Sequence, residues 1–242
     1  MYFIILALLE VVLGIDNIIF VSIVTDKLPL ENQRKARNIG LALALIVRLI
    51  LLAFVAWLME MDSPLFVDTE WELLKEFSLQ SLVLLAGGLF LIYKSTVEMH
   101  SSIVGEEEED SKAVKSMRAV ITQIILIDLV FSFDSIITAV GMTNGMGDET
   151  HSPIVIIYAA VIVSMIIMML FAKPISNFIN NRPTIKMIAL GFLVTIGVVL
   201  VAEAFGQEIP KGYIYFAMVY ALMVEFLNIR MRKNQKKRKA QD

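Results

Sequence analysis

One apolar run, long enough to cross a bilayer, carries two carboxylates and an amide near its middle: Leu8-Leu9-Glu10-Val11-Val12-Leu13-Gly14-Ile15-Asp16-Asn17-Ile18-Ile19-Phe20. The arrangement returns 118 residues later in Leu126-Ile127-Asp128-Leu129-Val130-Phe131-Ser132-Phe133-Asp134-Ser135-Ile136-Ile137-Thr138. Each copy has an acid, five intervening residues, and then an Asp followed by a small polar residue. An Asp near the centre of a membrane helix costs roughly 2.5–3.5 kcal/mol even on the lenient insertion scale, so Asp16, Asp128 and Asp134 facing lipid would together cost roughly 8–10 kcal/mol. Such residues persist where they meet one another, water or a cation. The reading adopted here is a cation.

Composition supports a membrane class. The 242 residues are 57% hydrophobic, above the roughly 45–50% of a soluble domain. With no cysteine, disulfides, thiolate metal sites and thiol chemistry are excluded. The two histidines, His100 and His151, fall at the ends of apolar segments, which argues against a His-based zinc site. The methionines are scattered, so no copper site is read into them. Nothing points to nucleic acid. Arg230 to Lys239 carries seven Lys/Arg directly after an apolar segment, which is first of all an orientation signal.

About 20 apolar residues make a spanning helix. Seven segments qualify, over 2–25, 38–60, 78–99, 118–141, 153–172, 184–205 and 213–230. The first lacks a basic leader and reads as a span rather than a removable signal. Basic residues alternate between the loops. Lys27, Arg34, Lys35 and Arg37 follow span one, Lys112, Lys115 and Arg118 follow span three, and Lys173, Arg182 and Lys186 follow span five. The opposite side has Lys75 and Lys211. The positive-inside rule then places the N-terminus outside and the C-terminus in the cytoplasm. Residues 61–77, with Phe66 and Trp71, suggest a short interfacial helix. Glu106 to Asp110 reads as a solvated acidic linker, with a divalent-ion sensor as the functional alternative.

The recurrence at 118 residues suggests two halves of three spans. Three is odd, so the halves are inverted relative to one another, which puts paired motifs at the bilayer midplane as in secondary transporters. The expected fold is all-α and integral to the membrane, with seven transmembrane helices. Repeat one covers 1–100, a cytoplasmic linker 101–117, and repeat two 118–205. A peripheral seventh helix covers 213–230 and a basic cytoplasmic tail 231–242.

The candidate metal-ligating residues are Glu10, Asp16, Asn17, Asp128, Asp134 and Ser135. All offer hard oxygen, which suits Mg²⁺, Ca²⁺ or Mn²⁺ and argues against Zn²⁺ or Cu⁺. Residues six apart on a straight helix sit about 120° apart around its axis, so convergence calls for bent or interrupted helices. Gly14 and Ser132 are the expected break points, with freed carbonyls facing the site. Arg48 in span two and Lys94 in span three are the intramembrane cations. Arg48 is deep enough to need one of the carboxylates as its partner. The structural alternative is a buried ion-pair network that only fixes helix packing. Gln123, Glu98, Glu203, Glu225 and Asn228 lie nearer span ends and rank below the six.

The motifs Glu10-Val11-Val12-Leu13-Gly14-Ile15-Asp16-Asn17 and Asp128-Leu129-Val130-Phe131-Ser132-Phe133-Asp134-Ser135 resemble those of the TerC family of integral membrane proteins. The likeness extends over essentially the whole chain. That family is similar to the wider LysE-like group of exporters; some members are associated with tellurite resistance and others with manganese efflux. The resemblance implies Mn²⁺ export across the bacterial cytoplasmic (inner) membrane, with the six residues taking part. Appended soluble domains occur in some relatives, and this chain looks like the minimal form.

The expected function is therefore a non-enzymatic Mn²⁺ exporter working by alternating access, with Mn²⁺ as the transported ion and the bilayer as its setting. Proton coupling would follow if the same acids take up protons when the metal leaves. Ca²⁺ in place of Mn²⁺, as in a Ca²⁺/H⁺ exchanger, is left open, as is a homo-oligomer. A membrane-assembly or metal-loading factor for exported metalloproteins is the rival from another class. An intramembrane aspartyl protease could also place two aspartates in two spans. The sequence lacks the Gly-x-Gly-Asp pattern of those enzymes, and each motif has a carboxylate more than a dyad needs.

Overall fold

The computed structural model describes residues 2–54, 78–104, 116–143, 153–207 and 209–239. Every long element among them is an α-helix. In chain order these are α1 (Tyr2–Leu13), α2 (Ile15–Asp26), α3 (Leu30–Ala53), α4 (Leu79–Val104), α5 (Met117–Thr143), α6 (Pro153–Asn180), α7 (Pro183–Ala204) and α8 (Lys211–Lys239). Among the described residues, six stretches are long and apolar enough to cross a membrane: Phe3–Asp26, which joins α1 and α2, then Leu30–Ala53, Leu79–Val104, Ile154–Asn180, Pro183–Ala204 and Lys211–Gln235. The helix α5 has 27 residues and carries Asp128 and Asp134, a length of about 40 Å at 1.5 Å per residue. The expected interfacial helix at 61–77 and the acidic run Glu106 to Asp110 lie outside the described residues.

Several helix ends differ from the expected ones, for one physical reason. Hydropathy marks where a helix meets lipid, whereas backbone hydrogen bonding continues into polar sequence wherever propensity allows. The helix α3 starts at Leu30 rather than residue 38, so Arg34, Lys35 and Arg37 sit on its first turns and not in a loop. Lys173 lies on α6, which runs through Pro174 to Asn180. Lys186 is a buried residue of α7. The basic tail is not a separate segment, since α8 stays helical to Lys239.

The first span is interrupted at Gly14, as expected. The interruption is slight. Gly14 N still donates to Glu10 O at 2.9 Å, and Ile18 N donates to Gly14 O at 3.1 Å. The expected unwinding with freed carbonyls is therefore not what Gly14 provides. Met168 of α6 packs where a Gly14 Cβ would stand, so the missing side chain lets α6 approach the break. The helix α5 is continuous through Ser132, against expectation. The Ser132 hydroxyl donates to the Asp128 carboxylate and so does not bend the backbone.

The largest helix contacts join α4 to α7, α3 to α5, and both α1 and α2 to α6. The α4–α7 contact is close enough that backbone touches backbone. A Cβ on Gly88 would lie 2.6 Å from Gly197 O, and one on Gly197 would lie 2.8 Å from Gly88 O. Small residues allow such approach where apolar burial alone does not hold helices together. The last helix, α8, packs mainly on α7.

Ion pairs identify which helix ends share a level. Glu98 of α4 pairs with Lys27 after α2 and, at 3.6 Å, with Lys186 of α7. Lys186 also reaches Asp26 at 4.0 Å, and Asn180 of α6 donates to Asp26 Oδ1 at 3.0 Å. At the opposite end of α7, Glu203 pairs with Lys211 at 3.6 Å. Between these two ends lies the buried polar centre.

Candidate functional site

Arg48 anchors that centre. It is 1% exposed, and its guanidinium spreads over three helices. Nη1 donates to Glu10 Oε2 of α1 at 2.9 Å, Nη2 to Asp128 Oδ1 of α5 at 3.1 Å, and Nε to Ser132 Oγ at 2.8 Å. Ser132 Oγ donates in turn to Asp128 Oδ2 at 3.0 Å. That bond is possible because residues four apart stack on one face of an unbroken helix, which ties the continuity of α5 to the site. Asn17 Nδ2 of α2 completes the set by donating to Asp128 Oδ1 at 3.1 Å.

Asp16 takes no part in this clasp. It is 3% exposed and lines a cavity of about 30 Å³ shared with Asn17, Arg48, Ser135, Lys211 and Tyr215. Ile196, Val199 and Leu200 of α7 close it on the apolar side, so it sits in the half of α7 nearer the Glu203–Lys211 pair. Such a volume admits one or two waters or an ion. Tyr215 donates its hydroxyl to Asp16 Oδ2 across 3.4 Å. Asp16 Oδ1 and Asn17 Oδ1 are buried and accept no hydrogen bond among the described residues. A buried oxygen without a donor is costly and calls for an explanation such as an ion or water.

Of the six expected ligands, Glu10 and Asp128 converge on Arg48, as the expected pairing of Arg48 with a carboxylate requires. Asn17 bridges that clasp to the cavity, and Asp16 and Ser135 face the cavity. Asp134 is on α5, but its side chain lies outside the described residues. No group of three acidic or imidazole side chains among the described residues forms a ready metal cage. Lys94 borders a different, smaller void of about 10 Å³ with Lys27, Glu98 and Gln123.

Two residues of α8 were not expected here. The seventh helix was read as peripheral, and most of it is, but Lys211 and Tyr215 on its first turns reach the cavity. Their spacing of four, with Ile214 between, is the one sequence signal that could have indicated a shared inward face.

The sequence matches the profile of the integral membrane protein TerC family over residues 1–240. The chain belongs to the TerC family. Among its relatives is the UPF0053 inner membrane protein YgdQ of Escherichia coli K12, 46% identical over 230 residues that cover 95% of this chain and 92% of that protein. A UPF0053 protein of Haemophilus influenzae is 46% identical over 233 residues, covering 96% and 93%. The UPF0053 inner membrane protein YoaE of Escherichia coli K12 is 42% identical over 231 residues, which span 95% of this chain but 42% of that longer protein. No solved structure matches. Family membership and the apolar helices together make this TerC chain a multi-pass membrane protein.

Proposed function

We propose that this TerC-family protein exports a divalent cation, Mn²⁺, across the bacterial inner membrane. The observation that carries the reading is Asp16: a buried carboxylate outside the Arg48 clasp, with an oxygen that accepts no hydrogen bond among the described residues, facing a cavity sized for an ion. Formal charge supports it. Among the described side chains of the centre, Glu10, Asp16 and Asp128 against Arg48 leave a surplus of two negative charges, which one divalent ion balances. Lys211 does not alter that sum, because Glu203 pairs with it. The oxygen donors of Asp16, Asn17 and Ser135 suit a hard cation. The Arg48 clasp favours a structural role for Glu10 and Asp128, and that role does not extend to Asp16.

The packing supports two halves related by inversion. Exchanging the first three spans (α1–α2, α3, α4) for the next three (α5, α6, α7) carries the dominant contacts, α1–α2 with α6, α3 with α5 and α4 with α7, onto themselves. Under this reading the halves rock about the central site. The cluster of Lys27, Arg34, Lys35, Arg37, Arg182 and Lys186 at one level supports a cytoplasmic assignment for that end and an outside N-terminus.

The test is flux of Mn²⁺ in liposomes carrying the purified protein under an imposed pH gradient, with Ca²⁺ and Mg²⁺ as competitors. Mn²⁺ movement that Asp16→Asn abolishes supports the reading. Absence of ion movement in the unaltered protein overturns it and favours an assembly or metal-loading role.

A further inference from the structure

We propose that Arg48 is a tethered stand-in for the transported cation. Its guanidinium occupies Glu10 and Asp128 while the site is empty and releases Asp128 when the ion arrives. The inference rests on the export reading above and adds a residue that sets how tightly the ion is held and how the empty protein resets.

The geometry suits a hold that can be exchanged. Arginine grips a single carboxylate most strongly through two parallel N–H···O bonds. Arg48 makes no such fork. Its three nitrogens go to three different partners, and each carboxylate receives one bond from the guanidinium. Asp128 would not be stranded by losing Arg48, because Ser132 still donates to its other oxygen. Arg48 also lines the same cavity as Asp16 and Asn17, and it shares the Asp128 oxygen with Asn17, so the two cavity-lining side chains that hold that oxygen are the ones an ion beside Asp16 would meet.

Charge gives the arrangement its purpose. Ligand charge count is a main determinant of affinity in oxygen-donor sites. With Arg48 present, a divalent ion makes the four charged side chains neutral; without it, three carboxylates would retain the ion and oppose its release. In the empty protein the guanidinium performs the complementary task. It keeps Glu10 and Asp128 from facing each other uncompensated in a low-dielectric interior, where a buried charge stripped of its partner is strongly unfavourable. Conduction needs binding strong enough to capture and weak enough to let go, and one mobile guanidinium serves both requirements.

The test separates two fluxes in liposomes, together with Mn²⁺ affinity in detergent. Net efflux into metal-free buffer requires the empty protein to reset. Exchange of labelled for unlabelled Mn²⁺ at equal concentrations does not. For Arg48→Met the expected outcome is binding about tenfold tighter, from loss of a neighbouring positive charge. Exchange falls by no more than the tighter binding accounts for, about tenfold, while net efflux falls at least about tenfold further, since only the empty return also loses its counter-charge. Arg48→Lys keeps a charge without the planar spread and shows the same split to a smaller degree; it decides the matter if the Met variant does not fold. Net efflux and exchange falling together, net efflux at the unaltered rate, or affinity unchanged or weaker in a folded variant overturns the proposal. An unaltered protein that neither binds nor moves Mn²⁺ fails the export reading itself, an outcome distinguishable from all of these.

Discussion

Two polar clusters, a buried centre and a partly exposed end cluster, meet along α2 and differ in their charge balance. The centre sets Arg48 against Glu10 and Asp128, with Asp16 beside them, and is negative by two. The end cluster sets Lys27 and Lys186 against Glu98 and Asp26, and these four ion-paired side chains are balanced. They are joined by α2, from Asp16 to Lys27, about 16 Å at 1.5 Å per residue, and Phe20, Ile23 and Val24 are buried between them. A balanced network satisfies itself and holds helix ends together. An unbalanced one, more deeply buried, is costly unless a further positive charge meets it. Under the proposed export reading, the Glu98 network closes one end and the Arg48 centre handles the ion.

The sharpest way to break this comparison is to strip the central arginine of a partner. Asp128→Ala removes a partner from buried Arg48 and should cost about 3–5 kcal/mol of stability, the usual result of stripping one side of a buried pair. Thermal unfolding in detergent reads this directly. Asp16→Asn should leave unfolding nearly unchanged, yet reduce Mn²⁺ affinity and flux by at least the roughly 10–100-fold typical of lost outer-shell partners. Asp134→Asn should reduce efflux to a similar degree in the same liposome assay. At the end cluster, Glu98→Gln should cost about 1–2 kcal/mol, between an exposed and a buried pair, because Lys27 is partly exposed; Mn²⁺ affinity should not move. Lys94→Met should shift stability by no more than about 0.5 kcal/mol. A Glu98 variant that lost Mn²⁺ affinity as severely as Asp16→Asn would erase the distinction between the clusters.

The centre was legible because charge in an apolar run is conspicuous. Glu10, Asp16, Asn17 and Asp128 stood out for that reason, and Arg48 could be matched with a carboxylate from depth alone. Ser132 was seen but misread, because its partner choice depends on whether α5 bends, and spacing does not decide that. The end cluster was largely illegible. Lys186 and Glu98 fall where hydropathy declines, and the same residues serve equally well as loop or helix until packing brings α4 and α7 together at Gly88 and Gly197. Tyr215 and Lys211 were hidden by the apolar, mostly exposed face of the helix that carries them.

Equilibrium binding of Mn²⁺ to the purified protein, followed by loss of the free-ion electron paramagnetic resonance signal, tests the central claim most directly. The account expects one ion per chain in the unaltered protein and in Glu98→Gln, and none in a folded Asp16→Asn variant. Equal binding by the unaltered protein and Asp16→Asn, or no binding by either, would contradict it.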